Sequence, residues 1–391
     1  MTLNPTLGDA FAPIVVAFIA AALLALVLTP VVRRLVLRYG MVDHPEDRRV
    51  NTEPIPRGGG IAVATAFIAV AVIFLAAFGE AWLAPFQLDL VLRSTLTSQL
   101  VALLVGGAAA AALGAIDDFL DLRARWQLAG QVALGCFAVV LGIEVGFIAN
   151  PFGGPPITFD NSAFAVGFTI FWIVGMINSI NFIDGLDGLS SGIAFIAAVT
   201  LGLINLTSSG GQPIMAVLCF ILAGSLLGFL RWNLHPASIF VGTSGVQFVG
   251  YTLALLSILG TAKVAVALLV LGVPIIDTFW IIVRRLLDRR SPFSPDRGHI
   301  HHRMLDLGLS HRQTVLAIYA ICLLLAVLAL LLSGVSQLYA FLGVFLAFGL
   351  ILFVPTRGAL RRPEELEADA YDPDPDGPGG PHRRGPDDRT A

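Results

Sequence analysis

Residues 178–189 read NSINFIDGLDGL and lie between two long apolar runs. Asn178, Asn181 and Asp184 recur at every third residue, a spacing that places them on one broad face of an α-helix. A glycine follows Asp184 and another follows Asp187, and glycine is a poor helix residue. The pattern predicts a membrane helix that stops at its polar end and presents carboxylates there. The alternative is a turn between two membrane helices that carries two solvated Asp-Gly pairs.

The whole chain has the composition of a membrane protein. Of its 391 residues, 56% are hydrophobic and only 13% are charged, whereas soluble domains carry about a quarter charged residues. Apolar segments of roughly 20 residues, the length that crosses a bilayer core, follow one another through most of it. We therefore expect an all-α polytopic integral membrane protein with about eleven transmembrane helices, near residues 11–32, 59–79, 97–116, 127–143, 163–181, 189–207, 213–230, 246–260, 262–283, 313–333 and 336–354.

The basic residues are distributed asymmetrically among the segments that join these helices. If the N-terminus lies outside, 22 of the 24 Lys and Arg residues fall on the inner side, as the positive-inside rule requires. This count predicts an outside N-terminus and a cytoplasmic C-terminus. Residues 1–354 then form a single multi-helix transmembrane domain, and residues 355–391, which hold few apolar side chains, form a disordered cytoplasmic tail.

Asp117 and Asp118 form a second acidic site, where the third apolar segment reaches the inner interface. Adjacent carboxylates repel each other unless a cation lies between them, and a divalent ion with oxygen ligands removes that repulsion. With the acids of residues 178–189 on the same membrane face, the pair predicts a site for Mg²⁺, with Mn²⁺ as the alternative ion. Asp121 has a simpler reading as the partner of Arg125, four residues further along a helix.

Two inner segments carry groups suited to anions. Arg57 precedes three glycines that open the second helix, where backbone N–H groups can approach an anion; the alternative is a basic anchor with a flexible hinge. In a later loop His299, His301 and His302 fall within four residues and precede Arg303. Imidazoles among arginines suit a pyrophosphate better than zinc, because no cysteine is near and the arginines repel a cation. A solvated basic loop is the remaining alternative.

Carboxylates for a metal and His/Arg groups for an anion, all on the inner side, suggest phosphoryl transfer from a nucleotide-linked donor. On these residues the chain resembles the polyprenyl-phosphate N-acetylhexosamine-1-phosphate transferases of bacterial membranes. The histidine loop looks like that of the branch that uses UDP-N-acetylglucosamine, a sister of the phospho-N-acetylmuramoyl-pentapeptide transferases. The segments that carry the resemblance are Pro54–Gly60, Asp117-Asp118, Asn178–Gly188, Gly242–Gly245 and Gly298–Arg303.

The resemblance implies a reaction and a location. The phosphate of undecaprenyl phosphate attacks the β-phosphorus of a UDP-HexNAc, most simply UDP-GlcNAc. UMP leaves, and the lipid-linked sugar pyrophosphate starts a cell-envelope polysaccharide. The enzyme would span the inner membrane of a bacterial cell many times with its active site in the cytoplasm. Its partners would be the two substrates and the bilayer, without nucleic acid, and a homodimer is left open.

The resemblance also assigns roles to residues of this sequence. Three carboxylates are implied both as catalytic groups and as the Mg²⁺ ligands: Asp117, Asp118 and Asp184. The substrate-binding residues implied are Asn178, Asn181, Asp187, Arg57, His299, His301, His302 and Arg303. Among these Asp187 is expected to face the uridine, and the histidines are expected to hold the sugar phosphate.

One position departs from the family pattern. Relatives commonly have Gly-Asp-x-Gly-Ser where this chain has Gly242-Thr243-Ser244-Gly245, and that Asp resembles a direct Mg²⁺ ligand. A neutral hydroxyl binds a hard cation much more weakly. Three explanations stay open: the other acids suffice, an acid such as Asp277 compensates, or the chain is an inactive relative. A transporter with an interfacial ion site is the further alternative, because acids in membrane segments often mark ion pathways.

Overall fold

Helices make up nearly all of the described structure. In this computed structural model the described residues are 7–43, 54–83, 90–148, 162–207, 212–260, 263–287, 298–332 and 334–353, with 150, 152, 154–159 and 289. The tail predicted for residues 355–391 lies outside them. The helices are α1 (Leu7–Arg38), α2 (Gly60–Leu83), α3 (Leu90–Leu120), α4 (Ala124–Val140), α5 (Ser162–Ile183), α6 (Leu189–Thr207), α7 (Pro213–Asn233), α8 (Gly242–Leu259), α9 (Lys263–Val270), α10 (Gly272–Leu287), α11 (Ile300–Asp306), α12 (His311–Leu331) and α13 (Val335–Phe353).

Two short antiparallel hairpins complete the described elements. In the first, β1 (Val42–Asp43) pairs with β2 (Ile55–Pro56) and leads into α2. In the second, β3 (Phe147–Ile148) pairs with β4 (Ile157–Thr158) between α4 and α5. The first hairpin brings Arg57 to the polar ends of the helices.

Eight of the described helices are long and apolar enough to cross a membrane, namely α1, α2, α3, α5, α6, α7, α8 and α12. The prediction of an all-α polytopic membrane protein is therefore confirmed. The other predicted segments are helical as well. They form the 17-residue helix α4, the pair α9 and α10, and α13.

The ninth predicted segment is broken into two helices. The sequence predicts one continuous helix over residues 262–283, but α9 ends at Val270 and α10 begins at Gly272. Pro274 explains the break, because it has no N–H to donate to the carbonyl of Val270, four residues earlier. The first turn of a helix tolerates proline, so α10 can start there.

The centre of the protein is built from α6, α7 and α8. Their apolar windows are 78%, 83% and 78% buried, whereas that of α1 is only 22% buried. Gly224 and Gly228 of α7 allow α1 to approach closely, since a Cβ at either position would overlap a backbone carbonyl oxygen of α1. This is the small-residue packing that membrane helices use in place of a hydrophobic driving force.

Close glycine contacts also bring the polar ends of three helices together. A Cβ on Gly60, the first residue of α2, would overlap the backbone of Gly245 in α8. A Cβ on Gly114 of α3 would overlap the backbone of Thr243 and Ser244. The starts of α2 and α8 and the end of α3 therefore meet backbone to backbone, and the candidate site forms at this junction.

Candidate active site

The polar helix ends surround a cavity of about 650 Å³. Its walls come from the first hairpin, the residues that follow α5, the loop between α7 and α8, α11 and the start of α12. Seven residues that the sequence analysis singled out line it: Arg57, Asp118, Asn181, Asp184, Asp187, Thr243 and His302.

Asp118 connects α3 to the glycine turn at the start of α8. Its buried carboxylate accepts hydrogen bonds from the backbone N–H of Thr243 at 2.8 Å and of Ser244 at 3.0 Å. A helix N-terminus stabilises negative charge, and N–H groups that bond a carboxylate make stronger bonds than neutral pairs. Gly242 has a left-handed backbone with φ +71°, and a Cβ there would meet both Asp118 oxygens and the N–H of Gly58. The turn is therefore shaped around this carboxylate.

Two predicted residues near this point do not line the cavity. Asp117 accepts hydrogen bonds from the N–H of Leu122 at 2.9 Å and from Nε2 of Gln127 at 2.7 Å. Asn178 donates to Gln131 Oε1 at 2.7 Å and also bonds within its own helix. These contacts hold the end of α3 and join α4 to α5, and the catalytic role of Asp117 stays a prediction.

Asp184 is one of the acids that line the cavity. It follows the end of α5, as the glycines of residues 178–189 predicted, and accepts a hydrogen bond from Ser190 Oγ. The surrounding protein raises the pKa of the half-buried Asp184 carboxyl to about 7 by desolvation, and the charges of Asp118 and Asp187 raise it further. A hard cation bound by these carboxylate oxygens would stabilise the ionised form of Asp184, so the donor set fits Mg²⁺.

Arg57 holds the first hairpin against the end of α3. Its Nε donates to the carbonyl of Asp118 at 3.1 Å, and its Nη2 bonds the carboxylate of the exposed Asp121 at 2.5 Å. The expected helical pair between Asp121 and Arg125 is wrong, because α3 ends at Leu120 and α4 begins at Ala124. Asp121 lies between them with a left-handed backbone, φ 47°.

The histidine segment starts the short helix α11. His299 precedes this helix, and its Nδ1 lies 2.7 Å from Asp277 Oδ2 of α10. The buried ring of His301 stacks 5.6 Å from that of His299, and a Cβ on Gly185 would overlap its Nε2. Burial and the neighbouring histidines hold the pKa of His301 well below its usual value, so it is neutral. His302 alone of the three predicted histidines lines the cavity.

The family to which the chain belongs emerges from comparison with known proteins. Residues 100–261 match the family model described as Glycosyl transferase family 4. A probable undecaprenyl-phosphate N-acetylglucosaminyl 1-phosphate transferase of Bacillus subtilis is 35% identical over 349 residues, which cover 87% of this chain and 90% of the relative. The chain belongs to the polyprenyl-phosphate N-acetylglucosamine-1-phosphate transferase family.

Other members of this family extend the similarity along the chain. A decaprenyl-phosphate N-acetylglucosaminephosphotransferase of Mycobacterium tuberculosis is 33% identical over 385 residues, covering 92% of this chain and 91% of the relative. An undecaprenyl-phosphate alpha-N-acetylglucosaminyl 1-phosphate transferase of Yersinia pestis is 27% identical over 336 residues, or 82% and 86% of the two chains. The transporter alternative is not favoured by this membership. Asp277, an acid within an apolar segment, lies buried against His299.

Sequence reasoning missed part of the cavity wall that the transferase fold assembles. Asp187 accepts from the N–H of Ala237 at 3.1 Å and lies 2.7 Å from Nδ1 of His235. The ring of His311, the first residue of α12, stacks on His235 with centroids 4.1 Å apart. Ligand atoms of Asp187, His235 and His311 lie within 4.8 Å of one another, a softer donor set than the oxygens near Asp184. The signal in the sequence was that His235 precedes the Gly242–Gly245 turn and His311 follows the Gly298–Arg303 segment.

Proposed function

We propose that this protein transfers N-acetylglucosamine 1-phosphate from UDP-GlcNAc to undecaprenyl phosphate and releases UMP. Family membership supports a polyprenyl-phosphate acceptor and a sugar-phosphate donor, because the relatives carry those substrates in their names. The observation that carries the proposal is a single cavity lined at once by acids (Asp118 and Asp184) and by anion-binding groups (Arg57 and His302).

The proposed reaction forms one phosphorus–oxygen bond and breaks another. An oxygen of the lipid phosphate attacks the β-phosphorus of the donor, and the bond to the α-phosphate oxygen breaks, so that UMP leaves with the electron pair. A phosphate monoester is already ionised near neutral pH, and positioning and charge stabilisation supply most of the catalysis in such transfers. In this proposal Arg57 and His302 bind and orient the phosphate groups inside the cavity.

A divalent cation is part of the proposal. Asp118 and Asp184 would hold Mg²⁺, with Mn²⁺ as the alternative, because they are the two predicted ligands that line the cavity. When bound, the ion neutralises negative charge on the pyrophosphate and its leaving group. Asp117 remains a candidate third acid, whose carboxylate lies at the same helix end.

We place this reaction at the cytoplasmic face of the bacterial inner membrane. The support is the charge asymmetry, with 22 of 24 basic residues on one side when all eleven apolar segments cross and the N-terminus is outside. Residues 1–354 then form one catalytic domain, with a cytoplasmic C-terminal tail. Light scattering of the purified protein would test whether two copies associate as a homodimer.

The direct test is a transferase assay on the purified full-length protein. UDP-GlcNAc labelled in the sugar, undecaprenyl phosphate and Mg²⁺ are incubated with protein, and both UMP and lipid-linked label are measured. We expect the two products in equal amounts, and neither with the Asp184→Asn variant. Absence of both products with UDP-GlcNAc and with other UDP-HexNAc donors would refute the proposal. Retention of label in the lipid fraction without UMP would point to a different bond being broken.

A further inference from the structure

Asp277 and His299 form a buried polar pair behind the cavity wall. We propose that Asp277 is a positioning residue of the transferase site, which holds the histidine segment against the cavity through His299. This inference rests on the proposed function, because its effect is read on donor binding and transfer. No role for Asp277 follows from the family motifs beyond that of a substitute metal ligand.

One carboxylate makes both contacts that fix the start of the histidine segment. Asp277 Oδ2 lies 2.7 Å from His299 Nδ1, and Oδ1 accepts a hydrogen bond from the N–H of Ile300 at 2.9 Å. Asp277 and His299 are 3% and 7% exposed, so water does not compete for these bonds. A carboxylate oxygen can only accept in this contact, so Nδ1 of His299 is the donor.

A series of neighbouring rings connects His299 to the cavity. His299 lies 5.6 Å from His301 with the rings 11° from parallel, and His301 lies 4.4 Å from His302, which lines the cavity. His299 also packs 5.8 Å from Phe182, two residues before Asp184. A shift at His299 would therefore move both the histidine that faces the cavity and the surroundings of the acid.

The position of His301 makes this arrangement intolerant of movement. Its ring fills the space beside Gly185, where even a Cβ would overlap Nε2. Both of its ring nitrogens are buried and have no hydrogen-bond partner among the described residues, so no such bond of this ring holds the segment there. Asp277 supplies two of the hydrogen bonds that do. A buried acid of this kind is weak evidence for stability, because an apolar pair would serve as well, which favours a role in positioning.

Asp277→Asn tests this role with Asp306→Asn as the matched control. Asp306 is an exposed acid at the other end of α11, so its replacement makes the same change of charge without touching His299. We expect Asp277→Asn to lower kcat/KM for the donor about 10- to 100-fold, as when carboxylate partners of functional histidines are removed. Asp306→Asn should stay within about twofold of wild type, as surface changes do.

A double-mutant cycle separates positioning through His299 from a general loss of structure. If Asp277 acts through His299, Asp277→Asn adds less than about threefold to the effect of His299→Ala, because the two changes remove one shared function. Effects that multiply would overturn the inference, and so would an Asp277→Asn enzyme with wild-type kcat/KM. Asp277→Glu keeps the carboxylate but places it one methylene further from the backbone, so we expect it to restore only part of the loss. Should Asp277→Asn fail to fold, a poorly active but folded Asp277→Glu would support the inference, and a fully active one would overturn it.

Donor binding keeps the test independent of turnover. Isothermal titration of UDP-GlcNAc into detergent-solubilised protein should give about tenfold weaker affinity for Asp277→Asn than for Asp306→Asn, from the same positioning loss. If the wild-type protein binds UDP-GlcNAc but transfers no sugar phosphate, the proposed function is refuted. The comparison of donor affinities between Asp277→Asn and Asp306→Asn would still test the positioning role. Equal affinities in the two variants would overturn the positioning role whether or not transfer occurs.

Discussion

Replacement of Thr243 by Asp tests whether position 243 shares a cation site with Asp118. The backbone N–H of Thr243 donates to Asp118 Oδ1 at 2.8 Å, so a carboxylate on residue 243 would lie beside that of Asp118. At a separation of about 5 Å and an effective dielectric constant of about 20, two such charges repel by about 3 kcal/mol. Without a divalent cation, Thr243→Asp should therefore lower the free energy of unfolding by about this amount, because repulsion of this size is absent in wild type.

The assay is thermal unfolding of purified protein, first in EDTA and then with Mg²⁺. In EDTA we expect Tm of Thr243→Asp to lie on the order of 5 °C below that of Thr243→Asn, which has the same shape without the charge. Mg²⁺ at a hundred times its Kd raises the free energy of unfolding of a protein that binds it only in the folded state by about 2.7 kcal/mol. The gain in Tm on addition of Mg²⁺ should therefore be larger for Thr243→Asp than for Thr243→Asn.

The same variants decide between the explanations for Thr243. Transfer by both wild type and Thr243→Asp would show that the acids near Asp184 suffice, whereas transfer by the variant alone would identify wild type as an inactive relative. Equal Tm values for Thr243→Asp and Thr243→Asn in EDTA, with equal responses to Mg²⁺, would refute the reasoning. Position 243 would then lie outside any cation site that contains Asp118.

Three further changes test the cavity itself. Asp184→Asn should lower kcat/KM by at least about 100-fold, the effect of removing a group that acts in the transition state. Asp121→Asn should change kcat/KM less than about threefold, because the ion pair of Asp121 is exposed. Equal activities of the two variants would count against a catalytic role for Asp184. Gly185→Ala should reduce transfer about 100-fold by displacing His301, because a shift of about 1 Å can have such an effect. Gly175→Ala, where a Cβ has open space, should leave transfer unchanged. An active Gly185→Ala enzyme would show that the His301 ring can move aside without loss of activity. Chelation of divalent ions should abolish transfer and added Mg²⁺ should restore it; transfer that persists in EDTA would contradict the metal assignment.

Hydropathy predicts most of the fold because it is a local property. A run of apolar residues long enough to span a bilayer must form a helix, since backbone groups have no other partner in lipid. Such an apolar run does not show where the helix is interrupted. The interruption between α9 and α10 falls within one apolar segment, and α11 lies in a polar segment with no apolar periodicity to reveal it.

The candidate site could be predicted as a set of motifs but not as a geometry. Asp117 and Asp118 are neighbours, so on a helix they point about 100° apart, and only the rotation of α3 against α8 decides which one reaches the cavity. Here it is Asp118, while Asp117 turns to Gln127. The stack of His235 on His311 joins positions far apart in sequence, and no local pattern could indicate it.

The side chain at position 243 decides which groups the glycine turn presents to a ligand, whereas the conformation of the turn does not depend on that side chain. The turn is held through its backbone: the N–H groups of residues 243 and 244 bond Asp118, and Gly245 lies against Gly60. None of these contacts involves the side chain of Thr243. Because backbone groups do not depend on residue type, an Asp at this position would find the same turn and the same partner carboxylate. If a divalent cation binds in this cavity, Asp118 and Asp184, which both line it, would have to hold the ion without an acid at position 243.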